Sequence, residues 1–216
     1  MKIKSSMLGL LVVFTVIMVF NSYMILSLSV APHTTAKKSV QLTGDPVQDA
    51  INQVIPTGAA EPYGSALGIS FDDPVAGLSV LSKLDRQIAT SSLSKDESQR
   101  YVNIGTKISC EFCCSAPAVI DSQGKDLCGC AHAASFRGLA KYLIKNSQLS
   151  DEDILWQLTK WKSLYYPRNM VEKAAAAIQN GIELTPEVLN DRNLLSKLNS
   201  GNLKDVGNLP QMVGGC

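Results

Sequence analysis

Ala133-Ala134-Ser135-Phe136-Arg137-Gly138-Leu139-Ala140-Lys141-Tyr142-Leu143-Ile144-Lys145-Asn146 is the stretch from which the fold class is read. Phe136, Leu139, Leu143 and Ile144 recur at the spacing that places side chains on one face of an α-helix, and Arg137, Lys141 and Lys145 fall on another. Gly138 within it reads as a small-residue packing contact. Downstream, Ser150-Asp151-Glu152-Asp153 opens a second helix with acids at the positive end of its dipole. Ile154, Leu155, Leu158, Trp161 and Leu164 or Tyr165 face inward there. Pro167 ends that helix and starts a third, packed through Met170, Val171, Ala174, Ala175 and Ile178 until Gly181. Thr185-Pro186-Glu187 begins another, running around Leu189 to Leu198 and stopping at Gly201. Trp156, Trp161, Tyr165 and Tyr166 could line a binding face, but helical spacing favours the core.

Upstream, Asp45-Pro46 and Asp73-Pro74 each combine an N-cap with proline at the first helical position. Val47, Ile51, Val54 and Ile55 mark one helix face, and Val75, Leu78, Leu81, Leu84 and Ile88 another; residues 56–72 read mostly as loop. Ser94-Lys95-Asp96-Glu97 has capping-box form, with Leu93 placed as a staple and Tyr101, Ile104 and Ile108 on the buried side.

Between these helical halves lie Cys110-Glu111-Phe112-Cys113-Cys114 and Cys128-Gly129-Cys130-Ala131-His132. Five of the six cysteines and one of the two histidines fall within these twenty-three residues. The intervening Ala118 to Leu127 has an apolar run, a polar turn at Gly124 and an apolar return, which is the grammar of a small β-hairpin. A hairpin would bring the two cysteine groups together as knuckles, in the manner of a zinc ribbon. The candidate metal ligands are Cys110, Cys113, Cys114, Cys128, Cys130 and His132, with Cys216 able to reach back on its Gly214-Gly215 leash. Thiolates with an imidazole suit zinc or copper(I). The donors exceed what one tetrahedral ion needs, which favours either a ligand-exchanging site or a mixture of metal and disulfide.

Two other readings stay open. The cysteines could staple an interaction domain that holds no metal. Cys110-Glu111-Phe112-Cys113 could be a thiol–disulfide exchange couple, although Ser115 to Val119 looks extended where such chemistry wants a helix start. The Cys-x-x-Cys-His pattern of a c-type haem is absent, and no catalytic constellation is complete. A net charge of +1 offers no basic field for nucleic acid.

Lys2 and Lys4 precede an uncharged run from Met7 to Ala31. At about 1.5 Å per residue it could cross the roughly 30 Å hydrocarbon core as one tilted helix. The alternative is a cleaved signal peptide ending at Ser29 and Ala31, which Pro32 would hinder. The expected organisation is a single-pass membrane anchor over 1–31, a tether over 32–44 in which His33 is solvated, an extracytoplasmic α-rich domain over 45–201 and an irregular tail over 202–216. The metal would be bound for structure, buffering or transfer, the last requiring a metal-donor or metal-acceptor protein as partner.

The CxxCC and CGCAH motifs, with Arg137 to Leu143, Trp161-Lys162 and Tyr166-Pro167, resemble a membrane-anchored cysteine-rich family of prokaryotes, mainly archaea, over roughly residues 60–180. That resemblance implies no particular activity. A looser similarity is to extracytoplasmic lipoproteins with a Cys-Tyr-Cys-Gly-Cys motif suspected of binding metal. Only Cys128-Gly129-Cys130 matches it, and no lipid-attachment cysteine is present.

Overall fold

The computed structural model describes residues 42–198, 206 and 208–215, together with Thr15, Ile17 and Met18. The chain divides into a unit over 1–40 and a larger unit over 41–216. Of the first, only the three isolated residues are described, and they are helical.

The larger unit is helical: α1 (Pro46–Val54), α2 (Gly64–Leu67), α3 (Pro74–Gln87), α4 (Lys95–Gly105), α5 (Ala131–Asn146), α6 (Asp151–Tyr165), α7 (Pro167–Gln179), α8 (Pro186–Asn190) and α9 (Leu194–Lys197). Helix starts follow the local chemistry. The Asp45 carboxylate accepts from Val47 N at 3.0 Å and that of Asp73 from Ala76 N at 3.0 Å. Ser94 with Glu97, and Ser150 with Asp153, form complete capping boxes.

Helix α5 is the centre of the fold. Twelve of its sixteen residues are buried, so it is enclosed on nearly every side and packs against α3, α4 and α6. Gly138 allows this closeness: a Cβ there would lie 2.2 Å from the Leu81 carbonyl oxygen. Gly77 of α3 likewise makes room for the Trp161 ring, 2.4 Å from where its Cβ would be. Trp161, Tyr165 and Tyr166 are fully buried, which makes the aromatic group core, with Trp156 partly buried at its edge. Arg137 and Lys141, on a face apart from the apolar one, are nonetheless buried because Asp85 of α3 pairs with them at 2.7 and 2.8 Å.

Three expectations need correction. No strand forms among the described residues, and the β-hairpin shrinks to one antiparallel bridge, Ile120 to Asp126. Pro117 lacks the N–H that would extend the first arm, and the second arm runs within four residues into Cys130, the N-cap of α5. No helix among the described residues is long and apolar enough to cross a membrane. The longest, α5, would span about 24 Å and carries Arg137, Lys141 and Lys145. The single-pass anchor and the extracytoplasmic, membrane-bound location therefore gain no support; apart from Thr15, Ile17 and Met18, the segment Met7 to Ala31 lies outside the described residues, as does His33. Finally, the helix expected around Leu189 to Leu198 is two short ones, parted where the Asp191 side chain accepts from Asn193 N at 2.9 Å.

The described residues of the tail, 206 and 208–215, are docked. Val213 N donates to Tyr165 O at 2.8 Å, Arg168 Nε donates to Leu209 O at 3.1 Å, and Gly214 sits against Leu78.

Candidate metal centre

Ile108, 1% exposed, anchors the entry to the first knuckle. Cys113 N then donates to Cys110 O at 2.8 Å and closes the turn. Ser115 adopts φ 55°, a left-handed conformation that redirects the chain after Cys114, and Arg192 holds its carbonyl at 3.0 Å. The return segment reaches the first through Val119 N, which donates to Ile108 O at 2.9 Å. Leu127 N donates to Val119 O at 3.1 Å, so the second knuckle emerges beside the first without a strand ladder. Arg137 Nη1 donates to Cys128 O at 2.6 Å, and the Cys130 sulfur accepts from Ala133 N at 3.3 Å.

Four sulfurs consequently converge. Cys110 Sγ lies 3.1 Å from Cys114, 3.5 Å from Cys128 and 3.6 Å from Cys130, and Cys128 lies 3.4 Å from Cys130. Cys110, Cys128 and Cys130 thus form a triangle of sulfurs with sides of 3.4–3.6 Å, against edges of about 3.8 Å for thiolates at about 2.3 Å from a tetrahedral zinc. Cys110, Cys114 and Cys128 are a group that could hold a metal ion, their sulfurs all within 4.8 Å of one another. Cys110 and Cys128 are buried, Cys130 is partly buried and Cys114 is exposed. The donor set is soft and suits zinc or copper(I).

The electrostatics sort the four. A hydrogen bond with Cys110, then one with His132 and one from the Ala133 N–H, hold Cys130 far below the usual thiol range at about 3, against the opposing effect of burial. Its position at the start of α5 favours a thiolate as well. The hydrogen bond to Cys130, followed by burial, pushes Cys110 up. Burial raises Cys128 to about 11. Burial also opposes ionisation of Cys114, but hydrogen bonds with Cys128, Cys110 and the Ala116 backbone bring it down overall. Without a cation the cluster thus concentrates its negative charge on Cys130. The Tyr166 hydroxyl is buried with no hydrogen-bond partner among the described residues, as are those of Tyr101 and Tyr165, and burial above all pushes its ionisation up.

The remaining candidates are placed differently. His132 is fully buried, stacked against Tyr165 and Tyr166, and its Nε2 is 2.9 Å from Val213 O. It hydrogen-bonds to Cys130 and is held by the tail. Cys113 is disulfide-bonded and is not one of the four free thiols, among which no two are joined. Cys216 lies outside the described residues.

Sequence reasoning missed the charges beneath the cluster. Glu111, between Cys110 and Cys113, has a side chain 6% exposed that pairs with Lys162 of α6 at 2.7 Å and with Lys173 of α7. Both ammonium groups stand over the Phe112 ring, at 5.5 and 5.3 Å from its centroid. The missed signal was a lysine amid buried positions: Lys162 directly follows Trp161, and Lys173 precedes Ala174.

Comparison of the chain with known protein families, with curated proteins and with solved structures finds no match.

Proposed function

We propose that this protein binds one soft metal ion, zinc or copper(I), through Cys110, Cys114, Cys128 and Cys130, for structural support, buffering or delivery to a partner. The observation that carries the reading is the grouping of Cys110, Cys114 and Cys128 with all sulfurs within 4.8 Å of one another, with Cys130 3.6 Å from Cys110 and 3.4 Å from Cys128. Arg137 fixes the second knuckle through Cys128 O, and His132 orients Cys130 from outside the donor set. Cys114, the exposed member, gives the ion its route in and out. Metal binding would displace the protons of Cys110 and Cys128, so affinity rises with pH.

The test is metal analysis of the full chain with a count of reactive thiols before and after chelation. The expected result is one equivalent of zinc or copper and four thiols that become reactive only when the metal is removed. Metal-free protein that takes up neither ion overturns the reading.

Cys130 supports a second reading, as the thiolate of a thiol–disulfide exchange centre, because it occupies the helix start that such chemistry uses. A reversible couple between Cys130 and a neighbouring thiol, poised near a cellular redox buffer and unaffected by chelator, would favour it.

A further inference from the structure

Glu111 ties the cysteine cluster to an unbalanced group of buried charges. Lys162 is 0% and Lys173 2% exposed, and one carboxylate serves both ammonium groups. Among the described residues their other hydrogen-bond partners are uncharged: Lys162 Nζ donates to Asn190 Oδ1 at 3.0 Å, and Lys173 Nζ to Asp191 O at 2.9 Å. The Asp191 carboxylate pairs with Lys197 at 2.7 Å and acts on Lys173 only as a more distant charge, which Arg192 opposes. Buried charge without a counterion is expensive, so one surplus cation here calls for an anion nearby. Burial pulls Lys162 down to about 8; the Glu111 carboxylate opposes this most strongly, and negative charge at Cys110, next to Glu111 in the chain, would add to that opposition. A divalent ion in four thiolates would carry a net charge of −2 and is the anion this arrangement lacks.

Resting on the metal reading, we infer that Lys162 and Lys173 are positioning residues whose surplus positive charge stabilises a dianionic tetrathiolate centre holding a divalent ion. Lys162 and Lys173 reach the sulfurs through the field across Glu111 and Phe112, and touch neither metal nor ligand atoms. The pair thereby favours zinc(II) with all four thiols ionised over copper(I), which is satisfied by fewer thiolates.

Zinc affinity of the full chain, measured by competition with a chromophoric chelator at fixed pH, separates charge from scaffold. Lys162→Met removes the surplus cation and is expected to weaken zinc binding at least tenfold. Lys173→Met combined with Glu111→Gln deletes one ammonium and one carboxylate, keeps the surplus, and is expected to bind within threefold of the parent. Thermal unfolding reports folding in each case, and Lys162→Gln serves if the Met variant does not fold. The inference is overturned if the double variant loses as much affinity as the single one, or if affinity follows the unfolding midpoint instead of the charge count. A parent chain that binds no metal refutes the metal reading itself, a result the variants cannot mimic.

Discussion

Gly138 illustrates how much a single hydrogen can decide. A Cβ there would meet Leu81 O at 2.2 Å and Asp85 N at 2.7 Å, both backbone atoms of α3 that cannot rotate away. Gly138→Ala should therefore lower stability by about 2–4 kcal/mol, read from urea unfolding, although alanine is the better helix former. Movement of α3 would also draw Asp85 from Arg137, whose other hand holds Cys128 O. This glycine was legible as a packing contact because glycine inside a helix needs a reason. The burial of Arg137 and Lys141 was not legible. A basic stripe on a helix is ordinarily a solvated face, and the carboxylate that admits these two side chains stands 52 residues from Arg137 in the chain.

At the scale of elements, the caps were the most readable feature, since each depends on residues within one turn. In α4, the Ser94 N–H donates to Glu97 at 2.7 Å, and this bond is the largest cause holding the Glu97 carboxyl below its ordinary value of 4.5. A carboxylate depressed on folding contributes stability above its unfolded value and loses it as pH falls through the folded one. The stability advantage of the parent over Glu97→Gln should thus be present at about pH 7 and shrink below about pH 4.5, as followed by urea midpoints across that range. An advantage that stayed constant or grew on acidification would assign the cap another origin. The hairpin was misread for the opposite reason. Its turn chemistry is real, with Asp121 Oδ1 accepting from Gln123 N and Lys125 N at 2.9 Å. Strand formation, however, depends on arm length, and both arms are claimed by the knuckles. The sulfurs meet all the same, because convergence needs the turn and not the ladder.

Across the whole molecule, the C-terminal segment behaves as a strap over the centre. It joins α6 through Val213 N, α5 through His132, α3 through Gly214 and α7 through Arg168. Gly214 has φ 77°, and a Cβ would come within 2.4 Å of Leu78 Cδ2, so two constraints coincide there. Gly214→Ala should loosen the strap by roughly 1–3 kcal/mol, seen as about ten- to a hundredfold faster amide exchange at Val213 while the α5 amides keep their protection. Sequence composition reads the segment as an irregular tail. Its docking rests on backbone groups, which no residue pattern encodes.

The Cys130 sulfur also has two employers. It caps α5, the helix on which α3, α4 and α6 pack, and it belongs to the four-sulfur cluster. On the tetrathiolate reading, loading the cluster and starting the central helix are one event written in two variables. Each decade of free ion above the dissociation constant then adds about 1.4 kcal/mol to the folded state. The unfolding midpoint becomes a gauge of metal supply, and a chelator acts on this chain as a denaturant aimed at a single helix.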